Sequence, residues 1–267
     1  MCELLAISCR QPARLSLSLA ALAARSTPGH SARDGWGVAY FQGGKVLAYR
    51  DAVPAADSPL VRQLAEEGPP TALALSHIRH ATRGARTLAN TQPFVRELHG
   101  RSHVFAHNGD LPGLPPATSF ASTPFCPQGD TDSESAFCML LTQLEPLWRR
   151  GAPSLQERLE VVHTFAAMLR PLGPANFLYA DGELLFAHGH RRLQADGRLA
   201  PPGLHWLQRR CARESEAPHA DGVRLSHGYQ QVVLLASVPL SDETWQPLDE
   251  GEVLAVAGGE VLARRPP

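Results

Sequence analysis

The residue with the most chemical potential stands second in the chain. Met1-Cys2-Glu3 leads directly into the apolar run Leu4 to Ile7. That pattern predicts a short buried strand and a chain end held in the fold, where most termini are loose. A small second residue permits removal of Met1, and Cys2 would then carry a free α-amine. One residue would hold both a nucleophile and its base. A thiol titrates at roughly 8.5 and an α-amine at roughly 7.7–8.0, so both change protonation near neutral pH. The amine can take the thiol proton directly or through a water. The bland alternative is a cysteine that packs as a small apolar residue.

Three further clusters carry complementary groups. His77-Ile-Arg-His-Ala-Thr-Arg-Gly84 follows a strand pattern and places Arg79, Thr82 and Arg83 in a loop. A guanidinium there either clamps a carboxylate through two parallel N–H bonds or is one more solvated arginine. Ala106-His-Asn-Gly-Asp-Leu111 ends a strand on Asn108-Gly109. The side-chain amide and the adjacent backbone N–H can form a pair of oxyanion donors. The same dipeptide is also the commonest hairpin turn. Gly129-Asp-Thr-Asp-Ser-Glu134 opens a helix. Asp or Ser suits its N-cap, and one aspartate is then left to bind an ammonium group.

Other chemistries lack a motif. Twelve histidines invite a metal. His77, His103 and His107 fall in strand patterns, however, where an i,i+4 pair does not converge as it does on a helix. The sequence contains no H-E-x-x-H, C-x-x-C, G-x-G-x-x-G, Walker A or G-x-S-x-G motif. No metal and no cofactor is expected.

The elements that must position these residues follow from periodicity. Strands are predicted at Leu4–Ser8, Val38–Phe41, Val46–Tyr49, Ala72–Ile78 and His103–His107, with Gly43-Gly44 as a hairpin turn. Helices are predicted over 14–25, 59–67 behind Ser58, 133–149 and 155–170. Five more strands follow at Asn176–Ala180, Leu184–His188, Leu204–Leu207, Val232–Val238 and Glu252–Val256. Strands, two adjacent helices, then strands is not a βαβα alternation. The order predicts an α+β layered fold in one domain over 1–267.

Composition excludes several classes. The 267 residues are 43% hydrophobic and 19% charged, enough to bury a substantial core, with a net charge of −1. Lys45 is the only lysine. A globally basic nucleic-acid binder is excluded, and no apolar run is long enough to span a bilayer. Leu15-Ser-Leu-Ser-Leu-Ala-Ala-Leu-Ala-Ala24, after Arg10 and Arg14, has the look of an export signal. A cut near residue 24 would leave three cysteines, which suits a disulfide framework poorly. Five unpatterned cysteines point to reduced thiols and a cytoplasmic protein.

Taken together and in order, the motifs resemble a known family. Cys2, Asp34-Gly-Trp-Gly37, His77 to Gly84, Asn90-Thr-Gln-Pro-Phe94, His107-Asn-Gly109 and Thr131-Asp-Ser-Glu134 resemble the class II glutamine amidotransferases, which are N-terminal-nucleophile hydrolases. The stand-alone, YafJ-like branch is the most similar, and Asn176-Phe177 and Thr244-Trp-Gln-Pro247 extend the likeness along the chain. The resemblance implies a four-layer αββα sandwich of two antiparallel sheets. It implies that Cys2, as mature N-terminus, attacks the γ-amide carbon of glutamine. Asn108 and the Gly109 N–H would hold the oxyanion, Arg79 with Thr82 the α-carboxylate, and Asp132 the α-ammonium. A thioester would form, release ammonia or an amine, and be hydrolysed without a cofactor. Two positions depart: His80 and Arg83 stand where synthase-fused relatives often carry Trp and His. The lid and the preferred γ-glutamyl compound are therefore open.

The expected partner is glutamine or a γ-glutamyl small molecule, with a separate synthase or acceptor protein as a further possibility, and neither nucleic acid nor membrane. A competing reading is a catalytically silent sensor or regulatory subunit that binds glutamine or glutamate. Retention of Met1 would favour it.

Overall fold

Apolar residues at a spacing of two build two sheets, and the computed structural model stacks them face to face. It describes residues 2–17, 34–80, 84–120, 123–211, 219–220, 223–225 and 230–267. The first half contains β1 (Glu3–Leu17), β2 (Trp36–Gln42), β3 (Lys45–Asp51), α1 (Pro59–Glu67), β4 (Pro70–Ile78), β5 (Phe94–Leu98) and β6 (Arg101–Gly109). Helices α2 (Asp132–Trp148) and α3 (Leu155–Leu169) follow. The chain closes with β7 (Ala175–Ala180), β8 (Leu185–His188), β9 (His205–Arg210), β10 (Gln231–Ala236), β11 (Val253–Ala257) and β12 (Glu260–Arg265).

One sheet runs β9-β10-β1-β4-β2-β3, with Gln246–Pro247 beside β9 and Val223–Leu225 beside the far end of β1. The other runs β12-β11-β8-β7-β6-β5. Each of these pairings is antiparallel.

Alternation along each strand defines the layers. On β1, Leu4 and Ala6 face the second sheet, where they meet Val104, Ala106, Leu178 and Leu254. Leu5, Ile7 and Cys9 face outward, toward Val61 and Leu64 of α1. On β6 and β7, Phe105 and Phe177 face α2 and α3, whose Phe137 and Phe165 close a ring cluster with centroids 5.3–6.3 Å apart. Burying one such side chain stabilises by about 1.5–3 kcal/mol, so these four rings alone fix the helix pair to its sheet. The result is helix, sheet, sheet, helix: the expected αββα sandwich.

Three local expectations are corrected. The helix over 14–25 is contradicted at its start, because β1 continues through Leu17, where Leu15 pairs with Leu225; its remainder lies outside the described residues. Asn108-Gly109 is not a hairpin turn: β6 runs through both residues and pairs with β7, far along the chain. Neither Asp nor Ser caps α2. Thr131 does, accepting the Glu134 N–H on its hydroxyl at 3.3 Å.

Candidate active site

Three strand ends meet at one edge of the space between the sheets. Cys2 precedes the first rung of β1, where Glu3 pairs with Ile78 at the end of β4. The third end is that of β6. The Cys2 thiol donates to the His80 carbonyl at 3.3 Å and accepts the His80 N–H at 3.2 Å. Burial pushes its pKa up. The His80 hydrogen bond, the positive chain end and Arg79 pull against that shift, and Glu3 adds to it. The sulfur is therefore a thiol at rest, and using it as a nucleophile calls for a base.

Asn108 comes within reach from the opposite sheet. Its Nδ2 donates to the Cys2 carbonyl at 2.6 Å, across 106 positions of sequence. A primary amide has two N–H groups, so one holds Cys2 and a second donor remains on the same nitrogen. The backbone direction of Gly109 follows from its neighbours. His107 gives its N–H to the Gln92 Oε1 at 2.6 Å, and its carbonyl accepts from the Gln92 Nε2 at 3.2 Å. In an antiparallel ladder, successive residues turn their N–H and C=O to opposite sides. Asn108 thus turns toward β7, and Gly109 turns back to the Gln92 side, beyond the end of β5.

Arg79 directly follows β4 and is buried; its guanidinium donates to the carbonyls of Ala85 at 3.0 Å and Gly84 at 3.2 Å. Its backbone N–H donates to the Gly35 carbonyl at 2.8 Å. The Asp34-Gly-Trp-Gly37 motif therefore seats the arginine. A Cβ at Gly37 would also overlap the Gln92 carbonyl, so the same motif admits Gln92 to its place. Asp132 opens α2, with Oδ1 accepting the Ser133 N–H and Oδ2 the Leu111 N–H, both at 2.7 Å. This joins the helix start to the residues just past Asn108-Gly109. Asp130 is tied elsewhere: it accepts from the Asn90 Nδ2 at 2.5 Å, and its N–H donates to the Asn90 Oδ1 at 3.0 Å. Thr82 and Arg83 lie outside the described residues.

Of the residues singled out in sequence, Cys2, Asn108, Gly109 and Arg79 gather around the strand ends, with Asp132 bracing the same segment. Sequence reasoning gave no role to Gln92, Asn90 or Asn176. All three are buried amides that hold backbone groups, and only their place inside the quoted motifs hinted at them. His107 lies on the helix side of β6, bonded to the Ser133 hydroxyl at 2.9 Å, with its pKa lowered by burial against the opposing field of Asp132. Among the described residues, no group of three His, Cys, Asp or Glu is placed to hold a metal ion, and no helix is long and apolar enough to cross a membrane.

Comparison with known proteins finds similarity along nearly the whole chain. A family model described as class-II glutamine amidotransferases matches residues 1–266. The candidate glutamine amidotransferase YafJ of Escherichia coli (strain K12) is 32% identical over 258 residues, covering 94% of this chain and 96% of that one. A crystal structure titled as a predicted glutamine amidotransferase from Pseudomonas aeruginosa PA01 superposes with a TM-score of 0.69 at 29% identity, covering 98% of this chain and 99% of that one. The glutamine phosphoribosylpyrophosphate amidotransferase of Bacillus subtilis matches 98% of this chain with 48% of its own, at TM-score 0.62 and 17% identity, a likeness of fold alone.

Proposed function

The chain belongs to the class-II glutamine amidotransferases, and from that premise we propose that it cleaves the γ-amide of glutamine or of a γ-glutamyl compound through a thioester on Cys2. The observation that carries this reading is the 2.6 Å bond from the Asn108 amide to the Cys2 carbonyl. It sets a side-chain N–H donor beside the one residue able to combine nucleophile and base.

With Met1 removed, the Cys2 α-amine accepts the thiol proton as the sulfur attacks the amide carbon. Negative charge moves to the carbonyl oxygen, where the second Asn108 N–H and the Gly109 N–H receive it. The tetrahedral carbon expels ammonia or an amine, which leaves with the proton held by the α-amine. Water then attacks the thioester, giving up its proton to the same amine, and glutamate departs as the thiol is restored. Arg79 takes the α-carboxylate, together with Thr82, and Asp132 takes the α-ammonium. A zwitterion calls for one fixed cation and one fixed anion, and bidentate pairing makes arginine the suitable cation. No cofactor enters these steps.

The test treats purified protein with a glutamine-analogue chloroketone and maps the adduct. Labelling of Cys2, together with an intact mass lacking Met1, is expected. Labelling elsewhere, or full retention of Met1 with no hydrolysis of glutamine or of a panel of γ-glutamyl peptides, overturns the proposal. Within it, glutamine turnover that appears only when a second protein is added would identify an ammonia-supplying subunit. Turnover of γ-glutamyl peptides alone would identify a hydrolase.

A further inference from the structure

We propose that Asn176 is a positioning residue for this reaction: it pins the Asn108–Gly109 peptide so that the Gly109 N–H faces the reacting carbonyl. This rests on the reading of Asn108 and Gly109 as oxyanion donors.

Asn176 is fully buried near the start of β7, directly opposite Asn108. Both polar atoms of its side chain have backbone partners. The Nδ2 donates to the Asn108 carbonyl at 3.1 Å and to the Arg191 carbonyl at 2.7 Å. The Oδ1 accepts the His190 N–H at 2.8 Å. The first of these bonds bears on catalysis. The Asn108 carbonyl and the Gly109 N–H belong to one peptide unit, and that unit is planar and trans. Holding the carbonyl toward β7 therefore aims the N–H the opposite way, to the Gln92 side. A donor on the carbonyl also polarises the amide and strengthens its N–H as a donor.

The site needs this restraint because it lies at the end of a ladder, where strand pairing stops. On one side of β6 the Gln92 side chain replaces a missing strand at His107. On the other, Asn176 reinforces the last pairs with β7. The fold also keeps room for the amide. A Cβ on Gly203 would overlap the Asn176 Oδ1, so the absence of a side chain there leaves space for the Asn176–His190 bond.

The test separates oxyanion support from nucleophile placement. Alkylation of Cys2 by iodoacetamide displaces iodide from a saturated carbon and develops no oxyanion, whereas hydrolysis of glutamine does. Asn176→Ala is expected to lower kcat for glutamine about tenfold or more, with KM and the alkylation rate of Cys2 within about twofold of the parent. Gly203→Ala, which displaces the same amide without removing it, is expected to give the same separation, and it serves if Asn176→Ala does not fold. A kcat within twofold of the parent in a folded variant, or a kcat and an alkylation rate that fall together, overturns the proposal. Asn108→Ala distinguishes the two levels. If it too leaves turnover unchanged, the donor reading itself fails. If it abolishes turnover while Asn176→Ala does not, only the positioning role fails.

Discussion

At Asn108 one amide serves two masters, and this shapes what its removal does. One N–H holds the Cys2 carbonyl and the other is assigned to the oxyanion. Loss of an oxyanion donor raises the barrier by about 2.7–4 kcal/mol, a factor of roughly 10² to 10³ in rate. Asn108→Ala should therefore cut kcat by two to three orders of magnitude. KM should change little, because the proposed contacts to the α-carboxylate and α-ammonium are elsewhere. Steady-state kinetics on glutamine or the preferred γ-glutamyl substrate decide this, and an unchanged kcat would remove Asn108 from the mechanism. Arg79 behaves differently, since its guanidinium also holds the Gly84 and Ala85 carbonyls. Arg79→Lys keeps the charge but not the planar fork. It should raise KM at least tenfold and loosen that loop, seen as faster proteolytic cleavage near Gly84. Unchanged values for both would exclude the assigned role.

At the scale of elements, the Gln92 side chain completes a strand. β5 pairs with β6 only as far as Phe94 opposite Phe105, and Gln92 supplies both the donor and the acceptor for the next outward-turned residue, His107. Gln92→Leu would leave a buried backbone N–H and C=O without partners. Each costs about 1–3 kcal/mol, so chemical denaturation should show a loss of about 2–6 kcal/mol. Turnover should fall as well, because the segment from His107 to Gly109 loses an anchor; stability within 0.5 kcal/mol or so of the parent would show that the bonds are easily replaced. This element also marks what a sequence can and cannot disclose. Helices α1, α2 and α3 were legible because apolar residues recur on one face and stop signals follow, and Ser154 with Glu157 forms a capping box. The Gly43-Gly44 hairpin was legible because both glycines take positive φ, 55° and 83°. β5 was missed because its turn, His99-Gly100, carries a non-glycine residue at φ 48°. The far part of β1 was misread because leucines over 15–24 fit both periods, and only pairing with Val223–Leu225 decides between them. At the candidate site, residue types singled out Cys2, Arg79 and Asn108-Gly109, which the fold brings to neighbouring strand ends. Gln92 and Asn176 were hidden, because an amide that bonds only backbone leaves no pattern of spacing.

The whole molecule is a stack of two sheets sealed by helices, and that sealing has a cost in acid. His77, His103 and His188 are buried, and burial first of all pushes each of them down to about 3. His107, His190 and His205 are lowered in the same direction, again chiefly by burial. An unfolded histidine takes a proton at roughly 6.5, so below that pH the unfolded chain binds protons that the folded one refuses. The stability carried by neutral histidines is thus fully present above about pH 6.5 and drains away as pH falls toward the folded values. Once well below pH 6.5, each contributes a slope of about 1.4 kcal/mol per pH unit, so three together reach roughly 4. Glu3 and Asp181 work the other way, since burial raises both and their stability is lost as pH rises through the raised values. They are two groups against six. Urea midpoints should therefore be level between about pH 7.5 and 8, below the range where the buried thiols and phenols, raised by burial, begin to matter, and fall by several kcal/mol equivalent by pH 5. His188→Asn should flatten the slope by about one proton, since it removes one group that refuses charge while keeping a donor in the place of the ring Nδ1, which lies 3.0 Å from the Glu252 carbonyl. Equal stability at pH 5 and pH 7.5 would mean that these rings reach water and take up protons in the folded state, contrary to a core sealed on both faces of each sheet.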